Sequence, residues 1–230
     1  MGGTAILGGA AACLCLGTVG LLATPEVTSV ATAGTLGHGA RPIHRHLPHR
    51  ARTGSTAAPV PCPHADVPAT SASASEMAAA VDCLVNQQRL RFGLPPMKVS
   101  RNLNRSAQKW SDQMVATGNF THGSDAAFRK RLLAAGFNWA QAGENIATGY
   151  LTPRDAVAGW MASPDHCKNI LDPDYREMGT GENRAPVGAS ASGPATWTQD
   201  MGLLMSQSPA SGDHGPENGC PYTIASSPGG

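Results

Sequence analysis

Charge is sparse in this sequence, and neither sign dominates. Its 230 residues hold 17 Lys and Arg against 16 Asp and Glu. No basic stripe interleaved with aromatics runs through the second half, which argues against nucleic acid as a partner. Aromatics make up only 5% of the chain, and no internal repeat is visible. The local signatures of familiar catalysts are missing too. Neither His122 nor His166 has a second histidine four residues away, so no metalloprotease-type helix pair exists. Nothing of the Gly-x-Ser-x-Gly kind surrounds Ser163, which reads as a helix cap rather than a nucleophile. Cys62, Cys83, Cys167 and Cys220 contain no CxxC pair, which argues against a zinc-thiolate site.

What the chain does hold begins with an uncharged run, Ala5 to Ala23. Ala31-Thr32-Ala33 follows as a small-x-small cleavage site before Gly34, so residues 1–33 read as a signal peptide. No Lys or Arg precedes the run. The alternative is an uncleaved anchor, since 19 apolar residues just span a bilayer. Cys13 lacks the preceding Leu of a lipoprotein signal. With Cys13 and Cys15 in this segment, four cysteines remain. An even number in an exported protein predicts disulfides, in any of three connectivities.

Residues 34–75 read as a disordered linker rich in Ala, Pro, Ser, Thr, Arg and His, without apolar periodicity. Within it, His38 to Arg52 holds four Arg and four His. This stretch reads either as a tether to anionic polymer or metal, or as a solvated charge run. Below about pH 6 its imidazoles charge and it becomes strongly cationic. After about Ser206 the chain is again polar and Gly/Pro-rich, a tail over 207–230.

Between them lies a patterned region, residues 76–206. Ser75 is placed to cap a helix with Met77, Val81, Leu84 and Val85 on one face, stopped by Gly93. Two prolines force "LPPMKV" to be extended. Ser100 opens a second helix, with Leu103, Ala107, Trp110 and Met114 as a buried stripe and Gly118 as C-cap. Ser124 or Asp125 starts a third, with Phe128, Leu132 and Leu133 facing inward. Thr152-Pro153 starts a fourth through Val157, Trp160 and Met161. "GENIATG" reads as a turn in which Asn145 bonds locally. Tyr175 to Asn183 and Ala195 to Leu204 read as strands, with Trp197 and Gln199 on one face. Helices early and strands late predict an α+β domain, with helices on both faces of a small sheet.

Five separated motifs, "LVNQQRLRFGLPPM", "AQKWSDQMVATGNFTH", "GENIATG", "AVAGWMASPDHCKNIL" and "WTQDMG", occur in one order. In this the chain resembles the CAP superfamily, the SCP/PR-1-like domains, in bacterial secreted form, over about Met77 to Leu204. The resemblance implies an α–β–α sandwich with a small, mainly antiparallel sheet. It also implies one open cleft lined by two His and one or two acids. Carried over, "FTH" gives His122, "GEN" gives Glu144 and "SPDHCKN" gives His166. Many eukaryotic members have a second Glu between the first His and the GEN motif. Here the only acid in that interval is Asp125, the possible fourth member. Asp165 and Cys167 flank His166 where Gly-His-Arg is commoner. The pattern of Cys62 and Cys83 resembles related bacterial sequences in which the two are coupled. That implies Cys62–Cys83 and leaves Cys167–Cys220, which would tether the tail beside His166.

The residue types suggest the chemistry. Two neutral imidazoles can bind a divalent metal, zinc first among them, and a carboxylate can complete the shell or act as base on a bound water. His122, His166 and Glu144 are the expected ligands and the expected catalytic residues. Without metal the same trio is a His/Glu acid–base pair. Three readings follow. The first is a secreted protein with a metal site, hydrolysing a peptide or ester. The second is a non-enzymatic extracellular module that binds lipid or cell-wall polymer at the envelope. The third is a polar network that only fixes loops. The chain is expected to act as a monomer.

Overall fold

The computed structural model describes residues 60–188, 193–210 and 215–227. The signal segment 1–33 and the His/Arg stretch lie outside the described residues. So do positions 189–192 of the connection between the last two strands. Helix α1 is Ala74–Arg91, α2 Arg101–Thr117, α3 Asp125–Ala134, α4 Pro153–Met161 and α5 Pro164–Leu171. The strands are β1 Lys98–Val99, β2 Trp139–Thr148, β3 Glu177–Asn183 and β4 Thr196–Leu204. They form one sheet in the order β1-β3-β4-β2, with β1 parallel to β3 and the other pairs antiparallel. Short 3-10 turns stand at Ala69–Ser71 and Pro216–Gly219.

Five helices pack on this sheet in two layers. Alternation decides which. Met178, Trp197 and Met201 meet α1, α4 and α5 in the main core, with Trp160, Met77 and Leu84. The opposite face belongs to α2 and α3, where Leu103, Leu132 and Phe137 form a second cluster. The helix α2 lies against β3 because Gly179 and Gly181 have no side chains there. A Cβ at either would stand 2.2 Å from the backbone N of Asn104 or Gln108.

Local signals account for most helix ends. Gly118 takes a left-handed φ of 65° as the C-cap of α2. Ser124 caps α3 and Thr152 caps α4 through side-chain bonds. Other expectations need correction. The cap of α1 is Ser73, two residues earlier than expected. Ser73 and Glu76 form a reciprocal capping box there, a geometry that Ser75 does not offer. Ser100 and Ser163 occupy cap positions without a side-chain bond. In α3, Leu132 is buried but Leu133 is exposed, because one short helix turns only one face to the core. Residues 60–73 lack periodicity, yet Ala65 and Ala69 are buried. They are held by the Cys62–Cys83 disulfide and by Ala69 N–H bonding the Leu151 carbonyl. The second disulfide is Cys167–Cys220, so both pairings implied by the resemblance are present.

Two buried acids between α1 and β3 predict a pH dependence. Asp82 accepts a 2.6 Å bond from Thr180, yet burial pushes its carboxyl up to about 6. Burial likewise pushes Glu182 up to about 7. Unfolded, these groups release their protons near pH 4. Between pH 4 and 7 the folded state therefore holds more protons, and stability falls as pH rises. The expected result is that Asp82→Asn removes on the order of 2 kcal/mol of this fall. Urea midpoints of both proteins at pH 4.5 and 7.5 check it, and equal slopes would refute it.

Candidate functional site

The GEN segment is strand, not turn. It sits in the middle of β2, where Glu144 is directly opposite Asp200 and Asn145 is opposite Gln199 on β4. The cross-strand pairing is long-range, which is why local reading missed it. Gly143 is small because Tyr175 and Asn169 approach it; a Cβ would lie 2.7 Å from Tyr175 Oη. Asn145 is fully buried and does not bond locally. Its Nδ2 donates to the His166 carbonyl at 3.2 Å, and its Oδ1 accepts from Asn169 at 3.0 Å. It thereby ties β2 to α5, the helix that carries His166.

The sequence-identified trio converges. His122, in the loop between α2 and α3, reaches Glu144 from one side of the sheet. Its Nδ1 is 2.9 Å from Glu144 Oε1. A carboxylate oxygen only accepts, so Nδ1–H is the donor of this bond. His166 arrives on α5 from the other side, and the two ring centroids are 6.4 Å apart. His122 is half exposed, while the Glu144 side chain is 3% exposed. Burial, then the nearby His122, lowers the pKa of His166, which favours its neutral form. Asp125 lines, with His122 and Glu144, a cavity of about 500 Å3 and makes no bond to the trio among the described residues.

Two partners of the trio went unpredicted. Arg131 on α3 donates to Glu144 Oε2 at 2.5 Å and to the His122 carbonyl at 3.2 Å. Its guanidinium lies 3.7 Å from the Trp110 ring centroid. Trp110 is half-buried, packs against the cluster of Met114, Ile146 and Val187 as its stripe position implies, and donates from Nε1 to the Thr121 carbonyl at 3.0 Å beside His122. Nothing in "FRKRLL" marks Arg131 out. The other is Asp200, fully buried beside Glu144. Burial, and then the Glu144 charge, hold its carboxyl well above the usual range. A lone acid within the apolar strand "WTQDMG" was the signal available for it. Trp197 and Gln199 share a face as alternation requires, but both are buried in the core and neither lines the cleft.

A cation fits this donor set only in part. His122 is half exposed and lines the cavity, His166 is more deeply buried 6.4 Å from it, and Glu144 backs His122 as an orienting carboxylate does at metal sites. Glu144 itself does not fit as a direct ligand, because one oxygen serves His122 and the other Arg131. Among the described residues no group of three His, Cys, Asp or Glu side chains is arranged to hold a metal ion.

Residues 84–201 match the model of CAP, the cysteine-rich secretory protein family. The chain belongs to this family. The CAP domain is 31% identical over 147 residues to the uncharacterized protein YkwD of Bacillus subtilis, covering 62% of this chain and 57% of that one. It is 25% identical over 112 residues to the human Golgi-associated plant pathogenesis-related protein 1, covering 46% and 71%. A solved extracellular protein containing a SCP domain, from Bacillus anthracis, aligns with a TM-score of 0.48 at 24% identity, covering 57% and 44%. The chain thus spans little more than half the length of its Bacillus subtilis relative.

Proposed function

We propose that this CAP protein is secreted, and that its cleft uses His122 and His166 to bind a divalent cation, zinc first, for hydrolysis of a peptide or ester. The observation that carries the reading is the pair of imidazoles, brought from opposite faces of the sheet to 6.4 Å, with Glu144 behind one of them. Two disulfides fit an oxidising compartment, and the uncharged amino-terminal run fits export. His122 and His166 would hold the cation, which would supply Lewis acidity and an activated water. Glu144 would fix the His122 tautomer, Arg131 would fix Glu144, and the half-buried walls would limit water.

A second reading has its own support. Both Glu144 oxygens are engaged, so no free carboxylate of the trio remains to act as base. This favours a non-enzymatic module that holds an extracellular lipid or envelope polymer in the same cleft.

Zinc titration by calorimetry on the segment from Ser55 onward separates the cases; the excluded stretch has four histidines of its own. One-to-one binding is expected, lost in both His122→Ala and His166→Ala and weakened about 10–100-fold in Glu144→Gln, as for outer partners of metal ligands. Binding unchanged in the histidine variants would remove the metal from the reading. Lipid and wall-polymer binding would then be measured on the same proteins.

A further inference from the structure

We infer that the outer edge of β2 is a docking rail on which an extended peptide adds as a fifth strand, leading its backbone to His122. The inference rests on the reading of the His122–His166 cleft as the ligand site, and it names the ligand's class and mode of attachment.

Among the described residues β2 is an edge strand, paired only with β4. In an antiparallel ladder the backbone groups of alternate residues face the partner, and those between face away. The outward set is identified by its bonds. The Glu144 carbonyl accepts from Asn169 Nδ2 at 3.3 Å, and the Ile146 carbonyl accepts from Trp160 Nε1 at 3.1 Å. On the inward side, Gly149 N–H bonds the Ala195 carbonyl at 2.9 Å. Even-numbered residues of this strand therefore face outward, and Ala142 is one of them. Side chains cap the outward carbonyls at 144 and 146. The N–H and C=O of Ala142 and the N–H of Glu144 have no partner among the described residues.

An uncapped stretch of edge is a template for another strand. Here it is also the floor of a cavity. A space of about 500 Å3 lies along residues 139–142, with Phe128 and Arg129 of α3 as its far wall and His122 and Glu144 at its end. A strand laid there would exchange two main-chain bonds with Ala142. It would stop pairing at Glu144, whose carbonyl is taken, and so deliver its next peptide group beside His122. The floor offers a donor and an acceptor in backbone register, which matches a peptide and wastes an acyl chain. The β-bulge between Trp139 and Gln141 bends the rail beyond this point.

The test uses capped octapeptides of random sequence, selected by phage display on the full chain, with the best binder measured by fluorescence anisotropy. Ala142→Pro removes one rail donor on the side away from β4. It is expected to weaken that binder at least tenfold while keeping a cooperative melting transition. N-methylation along the peptide is expected to weaken binding at the one residue whose N–H meets the Ala142 carbonyl and not at its neighbours, and this readout holds even if Ala142→Pro fails to fold. Selection of no binder, equal sensitivity at consecutive positions, or a cleft that holds a fluorescent fatty acid and no peptide would overturn the inference. Its fate is separable from the metal reading. Zinc binding without peptide binding removes the rail alone, and peptide binding without zinc removes the metal alone.

Discussion

Arg89→Met is expected to cost about 3–5 kcal/mol of stability, the range for stripping a buried charged group from its partners. Arg89 is completely buried on α1. It donates to four carbonyls: Pro95 at 3.0 Å, Ile170 at 2.9 Å, Asp172 at 2.8 Å and Tyr175 at 3.2 Å. Burial lowers its pKa to about 10, which still leaves it charged at neutral pH. Methionine matches its length and apolar stem but supplies no donor. Each abandoned carbonyl then bears a desolvation cost of about 1–3 kcal/mol unless water enters. Two of those carbonyls belong to the last turn of α5 and its cap, so the helix bearing His166 loosens as well. Urea unfolding should show a midpoint lowered by more than 1 M at unchanged slope, for a slope of about 1–3 kcal/mol per M. A change within about 0.5 kcal/mol would mean that solvent replaces the guanidinium without loss.

The second large effect is expected at Gly181. Alanine there would place its Cβ 2.2 Å from the Gln108 N and 2.4 Å from the Ala107 carbonyl carbon. Both are main-chain atoms of α2, so no side-chain rotation relieves the clash, and the helix must lift from the sheet. The loss should exceed about 3 kcal/mol, beyond ordinary overpacking, because α2 packs along most of β3 and β4. Gly93→Ala is the control. Nothing lies within 4 Å of a Cβ there, and only its φ of +76° opposes the change. About 1 kcal/mol is expected for it. Similar midpoints for the two variants would show that the α2–β3 approach is looser than these distances imply.

The limits of sequence reading are specific to particular residues. Helix ends with a side-chain cap or a Gly stop were legible within a residue or two, because Ser124, Thr152 and Gly118 act on their own neighbours. The first cap was misplaced because two serines precede Glu76, and only backbone geometry selects Ser73. The strand β2 was missed outright, since "QAGENIAT" has no alternation of its own and is made a strand by pairing with β4. The pairing Cys62–Cys83 followed from resemblance, not from spacing. Arg131 and Asp200 were invisible as site residues because each belongs to an element read for another purpose.

What the sequence by itself determined is the list of parts. The α+β class and the helical stripes depend on local periodicity, which short-range physics dictates; the paired cysteines and the His, Glu and His that meet were legible only through the resemblance to the CAP family. What only the tertiary structure decided is the arrangement. It placed the two histidines on opposite faces of the sheet so that they meet past its edge. It turned Glu144 from a prospective ligand into a carboxylate held by His122 and Arg131, and left the Ala142 edge open beside them. The reason is that these features arise from contacts between residues tens of positions apart, whose geometry exists only once the sheet has closed between its two helical layers.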